Sequence, residues 1–206
     1  MRRVVITGVG AVTPIGNTVK EMWAGVREGK CGIDKITKYD ISNRKVKVAA
    51  EVKNLPVEEL VDKHDLRKMD LFCTFAMIAA DEAIADSGLS FEGEEDKCGV
   101  IVSSGIGGIS TIEKEYSKGL EKGFDRVSPY FIPSVITNMA AGRIAIKHNL
   151  QGMCSCVVTA CAGGTNAVGD SFRQIRDGYA DVMVCGGAEA GITEISVGGF
   201  TTSKAL

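Results

Sequence analysis

The sequence predicts an α/β fold, with a mainly parallel or mixed sheet covered by helices on both faces. Short apolar runs at Cys98–Ser103, Cys154–Thr159 and Asp181–Cys185 have the length and residue types of buried strands. Longer stretches at Met69–Ser87 and Ala162–Asp177 repeat apolar residues at helical spacing. Glycines gather where the strands should end, at 105–108, 163–164 and 186–187, and ligands of open α/β sheets bind beyond the carboxyl ends of strands.

Taken in chain order, Arg3–Val9 reads as a first strand, followed by a loop holding Pro14 and Gly16. Thr18-Val19-Lys20-Glu21 has the spacing of a capping box that opens a helix stopping near Gly29. Val46–Val52 is expected to be a short strand and Pro56–Glu59 a helical turn. The helix over Met69–Ser87 should end at Gly88 and bury a face of Phe72, Phe75, Ala76, Ala79, Ala83 and Ile84, whose alanines imply close packing. Ser110–Glu113 offers a second capping box, a helix is expected over Val135–Lys147, and the helix from Ala162 to Asp177 should turn Val168, Phe172 and Ile175 inward.

Composition narrows the function. At 206 residues the chain makes one compact unit. A formal charge of −2 without a basic run gives no footprint for nucleic acid. No apolar stretch reaches the roughly 20 residues of a membrane span, so a cytoplasmic protein is expected. Seven cysteines, an odd number spread through strands and helices, are expected to be reduced rather than to form a disulfide framework.

The stretch Val157-Val158-Thr159-Ala160-Cys161-Ala162-Gly163-Gly164 places a thiol between a strand and the first turn of a helix. Unpaired N–H groups and a partial positive charge there favour a thiolate and can donate to an oxyanion beside it. The bland alternative is a buried cysteine at a tight turn. Cys154-x-Cys156 lacks paired metal-ligand spacing and has no histidine nearby, so no metal site is expected. Gly8-Val9-Gly10 carries Thr13 at the third glycine position and Pro14 where a dinucleotide-binding helix would begin. Ser103–Gly108 lacks the Lys and Ser/Thr that complete a phosphate loop, which leaves a packing turn or the wall of a ligand site. Of the only two histidines, His64 lies in a charged stretch and His148 near a predicted helix end; both are expected at the surface, with no neighbour in sequence to mark either as a base.

Several of these segments, in order, resemble the elongating 3-oxoacyl-[acyl carrier protein] synthases, most like type II. They are Arg3–Gly10, Arg67-Lys68-Met69-Asp70, Gly105–Gly108, Ser128-Pro129-Tyr130-Phe131-Ile132-Pro133, Thr159-Ala160-Cys161 and Gly186-Gly187-Ala188-Glu189. The resemblance implies a thiolase-like fold in which 1–206 is the amino-terminal half of a five-layered αβαβα core, the carboxy-terminal half being absent. It implies a homodimer that needs no cofactor and works with acyl and malonyl forms of acyl carrier protein. Cys161 would be the nucleophile and a backbone oxyanion donor. Ile106, Phe131, Ile132, Gly198, Gly199 and Phe200 would line the acyl pocket, with Ser196 standing where many relatives carry glycine. Lys63, Arg67, Lys68, Arg126 and Lys204 would face the carrier protein. The family's two catalytic histidines and its lysine belong to the second half, so this chain alone is expected not to catalyse condensation. The rival readings are a non-catalytic subunit that dimerises and binds carrier protein, and a polyketide-type ketosynthase or thiolase.

Overall fold

The computed structural model describes residues 2–206; Met1 lies outside the described residues. The elements run α1 (Val19–Arg27), β1 (Asp34–Lys35), β2 (Val48–Ala49), α2 (Val57–Leu60), α3 (Lys63–Leu66), α4 (Leu71–Ser87), β3 (Cys98–Ser103), α5 (Ile109–Lys122), α6 (Phe131–Val135), α7 (Met139–His148), β4 (Cys154–Ser155), α8 (Gly163–Arg176), β5 (Val182–Gly187) and α9 (Glu194–Thr202). The central sheet has the order β4-β3-β5 and is parallel throughout, with Val100 opposite Cys154 and Val184. β1 and β2 form a separate antiparallel pair.

The alternation of side chains along β3 assigns the two faces. Cys98, Val100 and Val102 join the apolar core with Phe72, Cys73, Ala76 and Met77 of α4 and Ala140, Ala141 and Ile144 of α7. The intervening residues turn toward α8: a Cβ on Gly163, its first residue, would lie 1.9 Å from Ser103 Oγ. Only glycine lets the start of α8 come this close to the end of β3.

α4 explains much of the stability. Asp70 caps its N-terminus, accepting from the Phe72 amide, and the helix stops at Gly88 as its sequence predicts. Burial extends around the first half of the helix, through Phe72, Cys73, Thr74, Ala76, Met77, Ile78 and Ala80, because α7, the sheet and neighbouring segments surround it. Burial pushes the Cys73 thiol up to about 12 from its ordinary 9.0, with help from the Asp70 charge. The native state therefore keeps a proton that the unfolded chain loses above pH 9. This contribution to stability is full below pH 9 and is lost as the pH rises toward 12, at up to about 1.4 kcal/mol per pH unit. Urea melts at pH 8.5 and 10.5 are expected to show a loss smaller by about 2 kcal/mol in Cys73→Ala than in the parent chain.

Several expectations need correction. Residues 3–9 form no strand among the described residues: Val9 and Ala11 donate their amides to the Asp86 and Glu82 carboxylates of α4. A Cβ on Gly10 would lie 1.8 Å from the Ala79 carbonyl oxygen, so the segment is laid against a helix rather than paired in a ladder. On α8 the buried residues are Gly163, Ala167 and Ser171, whereas Val168 and Phe172 are 48% and 44% exposed. They line an apolar cleft of about 300 Å³ between residues 4–8 and β5. The helix expected over 135–147 starts four residues late, at Met139, after α6 has ended at Val135. α6 ends because the Val135 carbonyl accepts from Gly108, and Ile136 is extended. The second capping box does not form: α5 starts at Ile109, and the hydroxyls of Ser110 and Thr111 donate to Asp70 instead. β4 leaves the ladder after Ser155, and the Val157 carbonyl accepts from Ser103 Oγ. The first capping box is real but shifted by one donor: Thr18 accepts from Glu21, whose carboxylate accepts from Asn17 rather than Thr18.

Candidate active site at the strand ends

Cys161 lies in a short 3-10 turn, Ala160–Ala162, that leads directly into α8. Ala160, immediately before it, has φ +49°, a left-handed conformation that costs a residue with a Cβ about 1–2 kcal/mol. Asn166 Nδ2, one turn into α8, donates to Thr159 Oγ1 at 2.9 Å and ties the helix back to the turn. The thiol is thus presented from a strained turn at a helix N-terminus, and Cys161 is exposed. Ala160 carries no sequence signal for this geometry, since alanine is at home in a helix.

Cys161 opens onto a cleft of about 570 Å³ beyond the carboxyl ends of β3 and β5. The apolar wall includes Ile106 and Phe200, and the glycines 105, 164, 187 and 191 keep its floor low. Of the other residues expected in an acyl pocket, Phe131 opens α6 with Ile132 beside it, and neither lines this cleft; Ile132 is exposed. Gly198 lines a different hollow with Tyr39 and Arg44, and Gly199 lies one residue on in α9. The buried Ser196 hydroxyl, on the same helix, has no hydrogen-bond partner among the described residues.

The expected basic residues are scattered. Lys63 lies in α3 and pairs with Glu58 at 3.3 Å; Arg67 follows the helix. Lys68 holds its ammonium 3.1 Å from His64 Nδ1 and 5.5 Å from the centre of the Tyr130 ring. Arg126 closes a 3-10 turn after α5, and Lys204 follows α9. His148 faces Asp81 at 2.8 Å, between α7 and α4, and neither histidine lines the Cys161 cleft. Among the described residues no helix is long and apolar enough to cross a membrane. No group of three His, Cys, Asp or Glu side chains among them is arranged to hold a metal ion.

Two carboxylates that the sequence reading did not assign hold the glycine-rich loop between β3 and α5. Glu189 accepts from Ser104 Oγ and from the amides of Gly105 and Ile106. Asp70, 2% exposed, accepts from Phe72, from Ser110 Oγ and from both the amide and the hydroxyl of Thr111. Gly107 donates to Ser104 Oγ and Gly108 to the Val135 carbonyl, so the amides that would cradle a phosphate are already engaged. Both acids stand in segments singled out above, but only their contacts reveal the role. Asp70→Ala leaves two amides and two hydroxyls without their acceptor and is expected to destabilise the fold by about 4 kcal/mol. Chemical denaturation checks this value.

The comparisons with known proteins agree with this geometry. The family described as beta-ketoacyl synthase, N-terminal domain, matches residues 1–206. The 3-oxoacyl-[acyl-carrier-protein] synthase 2 proteins of Synechocystis and Staphylococcus aureus are each 45% identical over 206 residues, all of this chain and 50% of theirs. The chain therefore spans about half the length of these curated relatives. Among solved structures, the ishigamide ketosynthase/chain length factor superposes with a TM-score of 0.89 at 28% identity, over 100% of this chain and 51% of that one. A beta-ketoacyl synthase from Burkholderia phymatum gives 0.84 at 26%, with the same coverage. The α/β architecture is accordingly that of the thiolase-like ketosynthases, and the chain belongs to the beta-ketoacyl synthase family, to its N-terminal domain.

Proposed function

We propose that this chain is the nucleophile-bearing half of a 3-oxoacyl-[acyl carrier protein] synthase acting in fatty acid elongation. The observation that carries the reading is the exposed Cys161 at the entrance to α8, opening onto a cleft walled by Ile106 and Phe200. The Cys161 thiolate attacks an acyl-carrier thioester and the carrier thiolate leaves, so the acyl group becomes a cysteine thioester. Malonyl-carrier thioester then loses carbon dioxide, its carbanion attacks the acyl carbon, and the cysteine thiolate leaves. The product is a 3-oxoacyl chain two carbons longer. The Cys161 amide is proposed as one oxyanion donor.

The 45% identity to 3-oxoacyl-[acyl-carrier-protein] synthase 2 proteins, against 28% to the ishigamide ketosynthase, supports a fatty acid over a polyketide role. Exposed apolar side chains such as Ile6 at 80% and Ile146 at 77% support a unit that other surfaces cover, a second half-domain included. β4 is an edge strand preceded by the exposed Met153, which supports a homodimer contact. Seven free cysteines support a reducing, cytoplasmic setting. Lys63, Arg67, Lys68, Arg126 and Lys204 remain the proposed contacts for the acidic carrier. The test is intact-mass measurement of the chain incubated with acyl-carrier thioester: one acyl group added at Cys161 is expected, and an unmodified Cys161 overturns the reading.

A further inference from the structure

An anion is already built into the cleft. The strand–glycine loop–helix unit over 103–109 has the form of a phosphate cradle, yet Glu189 Oε2 occupies its mouth, 2.8 Å from the Gly105 amide and 3.2 Å from that of Ile106. Glu189 Oε1 takes the Ser104 hydroxyl at 3.1 Å. The backbone supports this placement, since the Ala188 amide donates to the Ser103 carbonyl at 2.9 Å and zips the end of β5 onto the end of β3. The loop also lies close to both segments: a Cβ on Gly105 would meet Glu189 Oε2 at 3.0 Å and the Ala160 Cα at 4.0 Å.

We infer that Glu189 is a positioning residue: its carboxylate fixes Gly105 and Ile106 against the Ala160–Cys161 turn and so sets how the cleft receives an acyl chain. This rests on reading the cleft as an acyl site. A side chain that satisfies three donors at once keeps the wall preorganised before any chain enters. Alanine removes the acceptor, and aspartate, one methylene shorter, does not reach all three donors. Glutamine keeps the fit: its oxygen faces the two amides, and its NH2 donates to Ser104 Oγ, which still accepts from Gly107.

The experiment measures Cys161 alkylation, by peptide mass, with iodoacetamide and with N-octyl-iodoacetamide, in the parent chain and in Glu189→Ala, Glu189→Asp and Glu189→Gln. The parent is expected to favour the octyl reagent. That preference should fall about tenfold in the Ala and Asp variants, roughly the worth of one hydrogen bond, and stay within about twofold of the parent in Gln. Added acetate should restore it in the Ala variant. Thermal melting is followed in parallel; a folded Asp variant carries the comparison if the Ala variant melts early. The inference is overturned if the parent shows no octyl preference, if folded Asp and Ala variants keep it, or if Gln loses it as Ala does, which would make the charge rather than the fit responsible. The alkylation uses no carrier protein or thioester. A chain that fails to take an acyl group from its carrier but passes this test would sink the proposed function and leave the role of Glu189 standing.

Discussion

Cys161→Ala is expected to reduce acyl transfer from an acyl-carrier thioester to background while leaving the fold intact. The thiol is exposed and packs in no core, so its loss should change stability by no more than about 0.5 kcal/mol, the ordinary effect of a surface substitution. The other cysteines do not substitute for it. Cys73 and Cys98 are buried in the α4–sheet core, and burial pushes both thiols up. Cys31, Cys154 and Cys185 are exposed and Cys156 is half-buried, but none of the four lines the cleft of Ile106 and Phe200 or follows a left-handed turn at a helix entrance. Intact mass with and without the substitution, followed by peptide mapping, checks the result. An adduct that persists in Cys161→Ala assigns the acyl group to another thiol and removes the basis of the proposed function.

What was legible in the sequence was whatever a local pattern dictates. β3 is an unbroken buried run, α4 has a capping aspartate and a terminal glycine, and each appears within two residues of its expected bounds. Misreadings occurred where a distant partner decides. Residues 3–9 have the β-branched composition of a strand, but Glu82 and Asp86, one turn apart on α4, take the amides of Ala11 and Val9 in place of a ladder. Val168 and Phe172 follow the helical period correctly and still end up facing a cleft, because periodicity identifies a face without saying what covers it. Ser110 and Thr111 have capping chemistry, and a buried aspartate 40 residues away in sequence claims it. At the candidate site the order is the same. The thiol before a helix could be read from the chain; the strain at Ala160 and the carboxylate of Glu189 under the loop could not, since both depend on segments brought together only by the fold.

The second large effect is an absence of turnover: given acyl and malonyl carrier thioesters, the 206-residue chain is expected to release no carbon dioxide and no 3-oxoacyl product above background. Decarboxylation builds negative charge on the malonyl thioester oxygen, and catalysis needs donors or cations aimed at it. Among the described residues the cleft beside Cys161 is lined by no histidine, lysine or arginine; its one carboxylic acid is Glu189, whose charge opposes both the incoming malonyl carboxylate and the developing enolate. The two histidines are engaged elsewhere, His64 with Lys68 and His148 with Asp81. Acyl transfer to Cys161 asks less of the site, needing only a thiolate and nearby backbone donors, so the two half-reactions should separate in this chain. Carbon dioxide release, measured with product formation by mass spectrometry, distinguishes the cases. Acylation without decarboxylation fits a cleft that supplies the nucleophile alone. Sustained turnover would mean that a group outside the cleft described here reaches the malonyl oxygen, and the division of labour between two halves would have to be abandoned.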